Sequence, residues 1–181
     1  MEARDTAERL LAAALPRRWN HVRAVAAKAE QVARVLPPDD RDALVTAAWL
    51  HDVGYAPSVA RTGFHPLDGA RWLRSCSFDE RIVRLVANHS CALWEAEERG
   101  LAAELRAEFP AEVSAMTDAL WYADMTTGPD GQDFDVRERL AEIHSRYGPD
   151  DPVTRFWSRA EPVIIAAVRR TEARLREAQP I

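Results

Sequence analysis

Hydrophobic residues recur along this chain at the three- and four-residue spacing of amphipathic helices, and the alternation typical of strands is scarce. The clearest stripe predicts a helix over about residues 19–36, ending before two consecutive prolines, and consists of Val22, Val25, Ala29, Val32 and Leu36. The same spacing predicts further helices over residues 4–15, 111–124, 135–147 and 151–178. The chain is therefore predicted to be all-α.

Capping signals place the starts of three more helices in the middle of the chain. Asp39 is the expected N-cap of a helix that contains "TAAWLHDVGY" and stops near Gly54. His65 is expected to cap the next one, because Pro66 suits a first turn. The segment "SFDE", residues 77–80, is read as a capping box that opens a further helix, and "TTGPDGQD" as a loop.

Length and composition indicate one folded domain over residues 1–181, since the chain is 47% hydrophobic. A net charge of −5, without a basic cluster interleaved with aromatic residues, argues against nucleic acid as the main partner. No apolar run is long enough to cross a bilayer, and the mixed charges of the N-terminus are not those of a signal peptide. Two cysteines make no disulfide framework, so a cytoplasmic location is expected. Nothing in the sequence predicts the oligomeric state.

Three positions on the apolar faces of predicted helices carry polar residues in place of hydrophobic ones. They are His51, His89 and Asp124. His21 lies at the edge of such a face. Any one of them alone is more simply a core histidine bonded to a carbonyl, or a helix cap. Together they are costly to bury separately, and convergence on a metal ion explains them all. Imidazole and carboxylate ligands suit Fe, Mn or Zn, while the lack of a cysteine ligand disfavours a thiolate zinc site.

The order His21, His51-Asp52, Asp124 resembles the signature of the HD-domain superfamily of metal-dependent phosphohydrolases, which are all-α domains. The leading segment "RRWNHVRAVA" and the closing segment "LWYAD" extend this resemblance over residues 15–130. The helices predicted over residues 135–178 are expected to pack on that core.

The resemblance implies a ligand set for two divalent ions. One ion would be held by His21, His51, Asp52 and Asp124. Asp52 would bridge to a second ion, which is also held by His65 and His89, as in the HD proteins that split dinucleoside polyphosphates symmetrically. Fe or Mn is favoured, and Co, Ni, Zn and Mg are compatible with the same ligands.

The expected reaction is hydrolysis of a nucleotide or another small phosphoester by an ion-activated water, with Asp52 and His51 as the catalytic residues. Arg18, Arg61 and Thr127 are candidate contacts for the substrate. Many HD hydrolases carry Lys or Arg three positions after the HD aspartate, whereas this chain has Tyr55. The Gly-Tyr-Pro motif of cyclic-di-GMP phosphodiesterases is absent in its context, so the substrate is left open.

Two other functions remain compatible with the sequence. Some HD-fold proteins with six such ligands are mixed-valent di-iron oxygenases, which consume oxygen. The fold also serves as a non-catalytic nucleotide-binding module, although the intact ligand set weighs against that alternative.

Overall fold

The computed structural model describes residues 2–178 and contains, within them, ten α-helices, two 3₁₀ turns and no strand. The prediction of a single all-α domain is confirmed. None of the helices in this range has the length and apolar character needed to span a membrane. The helices are α1 (Ala3–Leu11), α2 (Pro16–Ala33), α3 (Pro38–Leu50), α4 (His65–Ser75), α5 (Glu80–Ala87), α6 (Ala92–Glu98), α7 (Ala102–Glu108), α8 (Ala115–Met125), α9 (Val136–Arg146) and α10 (Pro152–Glu177).

The starts of three helices differ from the predicted caps. Helix α3 begins at Pro38, so Asp39 lies in its first turn and does not cap it. His65 is the first residue of α4, one position later than the cap. Helix α5 is capped by Asp79, whose carboxylate accepts from two backbone N–H groups, while Ser77 has a positive φ of 61°, outside the extended region typical of N-caps.

The central core is formed where α2 and α3 pack against each other and against α8. Its side chains are small or medium-sized, which lets the helices approach closely; they include Val25, Ala29, Leu44, Ala47, Met116 and Leu120. Burying one such leucine contributes about 1.5–3 kcal/mol. Helix α8 begins only at Ala115, later than the predicted start at residue 111, so Val113 precedes the helix and is fully exposed.

Helix α10 covers the other side of α8 and also packs on α6 and α9. It runs without interruption through Pro162. Its N-terminal half supplies Phe156 and Trp157 to a second core that also contains Leu140 of α9 and Met125 of α8. The C-terminal ends of α3 and α8 and the N-terminal parts of α2 and α4 meet at one place.

Candidate metal centre

Two groups of three side chains meet at that place, and within each group the potential ligand atoms all lie within 4.8 Å of one another. The first cluster consists of His21 of α2, His51 at the C-cap of α3, and Asp124 in the last turn of α8. The second cluster consists of Asp52, His65 and His89. The structure therefore brings together all six residues that the sequence proposed as ligands.

The carboxylate of Asp52 lies between the two clusters and presents one oxygen to each. Oδ2 lies 3.4 Å from Nε2 of His51 and 3.8 Å from Nε2 of His21. Oδ1 lies 3.4 Å from Nε2 of His65 and 3.9 Å from Nε2 of His89. This is the placement expected of a carboxylate that bridges two cations.

Backbone carbonyls orient three of the four imidazoles. A carbonyl oxygen can only accept, so the Nδ1 atom facing it carries the proton and Nε2 is left with its lone pair toward the centre. The acceptors are Ala48 O for His51 (2.7 Å), Val86 O for His89 (2.6 Å) and Gly128 O for His21 (2.9 Å). These are the tautomers that a metal ion requires.

The polar atoms facing the centre match a cation better than they match one another. Nε2 of His51 is fully buried and has no hydrogen-bond partner among the described residues. Nε2 of His21 lies 3.0 Å from Oδ1 of Asp124, although the proton of a neutral His21 sits on its other nitrogen. Buried lone pairs without donors are costly. A divalent ion satisfies both of these lone pairs and the carboxylates, so the residues fit the metal that the fold family implies.

The electrostatics of the clusters favour ionised carboxylates. Burial works against the charged form, yet the Arg18 guanidinium and His51 hold the pKa of Asp52 well below its usual range. Burial likewise opposes the charge on Asp124, but the imidazole of His21 against its carboxylate and the nearby His51 lower its pKa below the usual value. Both carboxylates are therefore charged at neutral pH and available as ligands.

The histidines of the two clusters differ. Burial lowers the pKa of His65 well below its usual value and also lowers the pKa of His89, so both imidazoles are neutral at neutral pH, as candidate ligands should be. Burial opposes a charge on His51 too, but Asp52 and Asp124 raise its pKa to about 9. The two carboxylates thus stabilise a positive charge at Nε2 of His51, carried either by a proton or by a metal ion.

A strained turn holds Asp124. The hydroxyl of Ser90 donates to Oδ2 of Asp124. Ser90 and Cys91 have φ values of 46° and 62°, a left-handed conformation that costs residues other than glycine about 1–3 kcal/mol each. The turn follows His89 directly, so one short segment both presents a ligand of the second cluster and orients a ligand of the first. No signal in the sequence marks Ser90 for this role.

His65 is held by ring stacking and by close backbone packing. Its ring stacks on Tyr55 with 3.9 Å between centroids and 17° between planes. The 3₁₀ turn Val53–Tyr55 packs so closely on α4 that a Cβ on Gly54 would overlap the backbone carbonyl of His65. The glycine of "HDVG" therefore brings the start of α4 up to Asp52.

Arg18 supplies the positive charge that the sequence lacks at position 55. Its guanidinium lies 4.1 Å from the centre of the Tyr55 ring, and its Nη1 donates to Oδ2 of Asp52 at 2.8 Å. Burial opposes its charge, but Asp52 raises the pKa of Arg18 above its usual value. A cation from α2 thus lies over the aromatic residue that replaces the usual Lys or Arg.

The other two predicted substrate contacts lie elsewhere. The guanidinium of Arg61 donates to carbonyls of its own loop, and its backbone N–H donates to Asp68 at 2.8 Å, which orders the approach to α4. The hydroxyl of Thr127 is buried and donates to Ala123 O at 2.7 Å. Neither side chain lines the cavity described next, because both are engaged in local hydrogen bonds.

A cavity of about 450 Å³ opens onto the centre. One end is formed by the ligand residues Asp52, His65, His89 and Asp124; His51 is fully buried and does not reach it. Helices α9 and α10 form an apolar side with Ile143, Val153, Phe156 and Trp157, and the polar lining includes Arg18, Arg99, Arg139 and Arg146. Two larger surface grooves, of about 620 and 550 Å³, contain none of the candidate ligands.

Comparison with known families agrees with this geometry. The family model described as HD domain matches residues 18–148, which span α2 to α9 and include all six candidate ligands. Searches of curated proteins and of solved structures returned no match. Because the matched segment covers well over half of the sequence, the chain belongs to the HD domain family.

Proposed function

We propose that this protein is a phosphohydrolase that uses two divalent ions per chain to cleave a small organic phosphate. The observation that carries the proposal is the placement of Asp52, whose two oxygens face separate pairs of histidines. The HD family supports it, since most members are metal-dependent phosphohydrolases, although some are not catalytic. A cavity of about 450 Å³ at the centre has a size typical of small-molecule sites.

In this proposal each cluster binds one of the two ions. His21, His51 and Asp124 hold one ion, His65 and His89 hold the other, and Asp52 is shared. When bound, divalent ions would lower the pKa of a water so that it loses a proton near neutral pH, and they would stabilise charge on the phosphoryl oxygens as the bond from phosphorus to the leaving oxygen breaks. Fe or Mn is the expected metal, because the ligands are only imidazole and carboxylate.

The chain's own residues complete the reaction. Asp52 is ionised and lines the cavity, so its carboxylate is placed to accept a proton from the attacking water. His51 has no exposed surface, which restricts it to the role of a ligand. Arg18 is permanently charged, lines the cavity and binds Asp52, so it is placed to neutralise a phosphoryl oxygen of the substrate.

The first test is metal content followed by activity. Elemental analysis of protein purified without added metal is expected to give about two Fe or Mn per chain. The metal-loaded protein is then assayed with nucleoside phosphates, dinucleoside polyphosphates and sugar phosphates, and metal-dependent release of phosphate or of a nucleoside phosphate is expected. Removal of the metal with a chelator should abolish release, and re-addition of Mn²⁺ should restore it.

Two results would replace the proposal by one of its alternatives. Oxygen consumption by the iron-loaded protein, with an electron paramagnetic resonance signal from a mixed-valent iron pair and no phosphate release, would identify an oxygenase. Nucleotide binding without turnover, unchanged by substitution of Asp52, would identify a binding module.

A further inference from the structure

Arg139 is a buried arginine that lines the cavity and is only partly satisfied. Its side chain is 7% exposed, and it lies on α9, beyond the motif that the sequence identified. Its Nε has no hydrogen-bond partner among the described residues, and its side-chain hydrogen bond runs from Nη1 to Glu142. A guanidinium has five N–H donors, so burying one with so few acceptors is costly unless a further acceptor enters the cavity.

The carboxylates on this side of the cavity do not balance Arg139. Glu142 is shared, because it also binds Arg146 at 2.9 Å. Glu95 pairs with Arg99 at 2.7 Å, and Asp151 caps α10. Asp124, whose charge acts on Arg139 through space, belongs to the metal centre. Arg139 thus shares the carboxylate of Glu142 with Arg146, and its Nε is left without an acceptor among the described residues.

A neighbouring arginine on the same helix is exposed, so an arginine on α9 is not buried merely because it belongs to this helix. Arg137 lies two residues earlier on α9, has a side chain that is 62% exposed, and approaches Glu161 at 4.0 Å. Solvent satisfies the remaining donors of such a residue. Arg139 has little contact with solvent but lines the cavity together with the candidate ligands, so an anion in the cavity is placed to accept from the donors that Glu142 does not use.

We propose that Arg139 binds the phosphoryl group of the substrate, whose carbon portion contacts the apolar side of the cavity formed by Ile143, Val153 and Phe156. This inference rests on the proposed function and names the second cation, beside Arg18, that the substrate meets. A planar guanidinium is suited to two phosphate oxygens at once, which a lysine cannot reproduce. The substrate class is therefore an organic phosphate with an apolar or aromatic group near the phosphorus.

The test measures binding of inorganic phosphate, because it does not depend on turnover. Phosphate is titrated by calorimetry into Mn²⁺-loaded wild type, Arg139→Met, Arg139→Lys and the control Arg137→Met. Loss of charge-assisted hydrogen bonds is expected to weaken phosphate binding about 10- to 100-fold in Arg139→Met. Arg139→Lys should be intermediate and Arg137→Met unchanged, with the same metal content in all four proteins.

The opposing explanation is an ion pair that only stabilises α9, and Glu142→Gln separates the two. If Arg139→Met and Glu142→Gln lower the melting temperature equally and neither changes phosphate affinity, the inference is wrong. Absence of phosphate binding by the wild type also overturns it. If Arg139→Met does not fold, Arg139→Lys decides, since wild-type affinity in that variant contradicts bidentate binding.

The assay of ester hydrolysis keeps this inference separate from the proposed function. Binding of phosphate that depends on Arg139, without hydrolysis of any ester, would support the anion site and contradict the hydrolase. Hydrolysis with the same KM in Arg139→Met and wild type would support the hydrolase and contradict the role of Arg139. A raised KM with little change in kcat supports both.

Discussion

The two ligand clusters share Asp52 but are built in different ways. In the first cluster, His21 and His51 come from the long packed helices α2 and α3, and a backbone carbonyl fixes each ring. In the second cluster, His65 lies at the first position of α4 and stacks on Tyr55, and its Nε2 lies 3.1 Å from Nε2 of His89; only His89 has its Nδ1 against a carbonyl among the contacts described, that of Val86. The side chain of His65 is 15% exposed, whereas His51 is fully buried.

This difference teaches that His65 is attached to the helical core by a turn, whereas His21, His51 and His89 are buried in it and oriented by backbone carbonyls. Distorting the first cluster requires moving α2, α3 or α8 within a close-packed interior. Displacing His65 of the second cluster requires only a shift of the 3₁₀ turn Val53–Tyr55 against α4, while His89 stays fixed by Val86 O. We therefore expect the second ion to bind more weakly and to be the first removed by a chelator. Three substitutions test this contrast, and the first affects both clusters at once.

The largest effect is expected from Asp52→Asn, because it removes a charge shared by both clusters. Substitution of a residue that only orients a metal ligand already lowers metal affinity or activity about 10- to 100-fold. Substitution of Asp52 itself should therefore lower kcat by more than about 100-fold. Titration with Mn²⁺ should show weaker binding of both ions. The control is Asp118→Asn, which removes a buried carboxylate of α8 that pairs with Arg170 and Arg174 and is not one of the candidate ligands. Loss of one ion only, with the other unaffected, would contradict a bridging role for Asp52.

The same contrast explains what the sequence could predict. The apolar stripes define α2, α3 and α8, and a polar residue at the end of such a stripe is visible without a structure, as His51 and Asp124 were. The fold class and the six candidate ligands follow from that pattern and from the family resemblance. Helix boundaries were less accurate, because single caps such as Asp79 depend on the local backbone.

Other features of the site depend on tertiary contacts, which the hydrophobic periodicity of the sequence does not reveal. Ser90 reaches Asp124 only because two residues adopt the left-handed conformation, and neither is a glycine. Arg139 stands in the segment "VRERLAEIHSR", where several charged residues look alike until the packing of α9 buries one of them. Arg61 and Thr127 looked available in loops, but both are engaged in local hydrogen bonds.

A smaller and more selective effect is expected from Gly54→Ala. The added methyl would overlap the carbonyl of His65, so the turn and α4 must separate. Crowding of this kind destabilises a protein by about 1–3 kcal/mol. We expect Mn²⁺ titration to give one tight ion per chain in place of two. The control is Gly148→Ala, since no atom lies within 4 Å of a Cβ built there. Equal weakening of both ions would show that the two clusters move as one unit.

The smallest effect is expected from Tyr55→Leu, which removes the ring between Arg18 and His65 and leaves the backbone turn intact. Without stacking, the His65 ring samples other rotamers, and the second ion should bind about 10-fold more weakly, as for other residues that orient a ligand. Tyr55→Phe keeps the ring and should bind both ions as the wild type does, which shows that the hydroxyl is not needed. The measurement is again Mn²⁺ titration, read separately for the two ions. Arg18 contacts both Tyr55 and Asp52. If Tyr55→Leu instead weakens binding of the first ion, the ring positions Arg18 and not His65. That result would contradict the proposal that the two clusters respond separately.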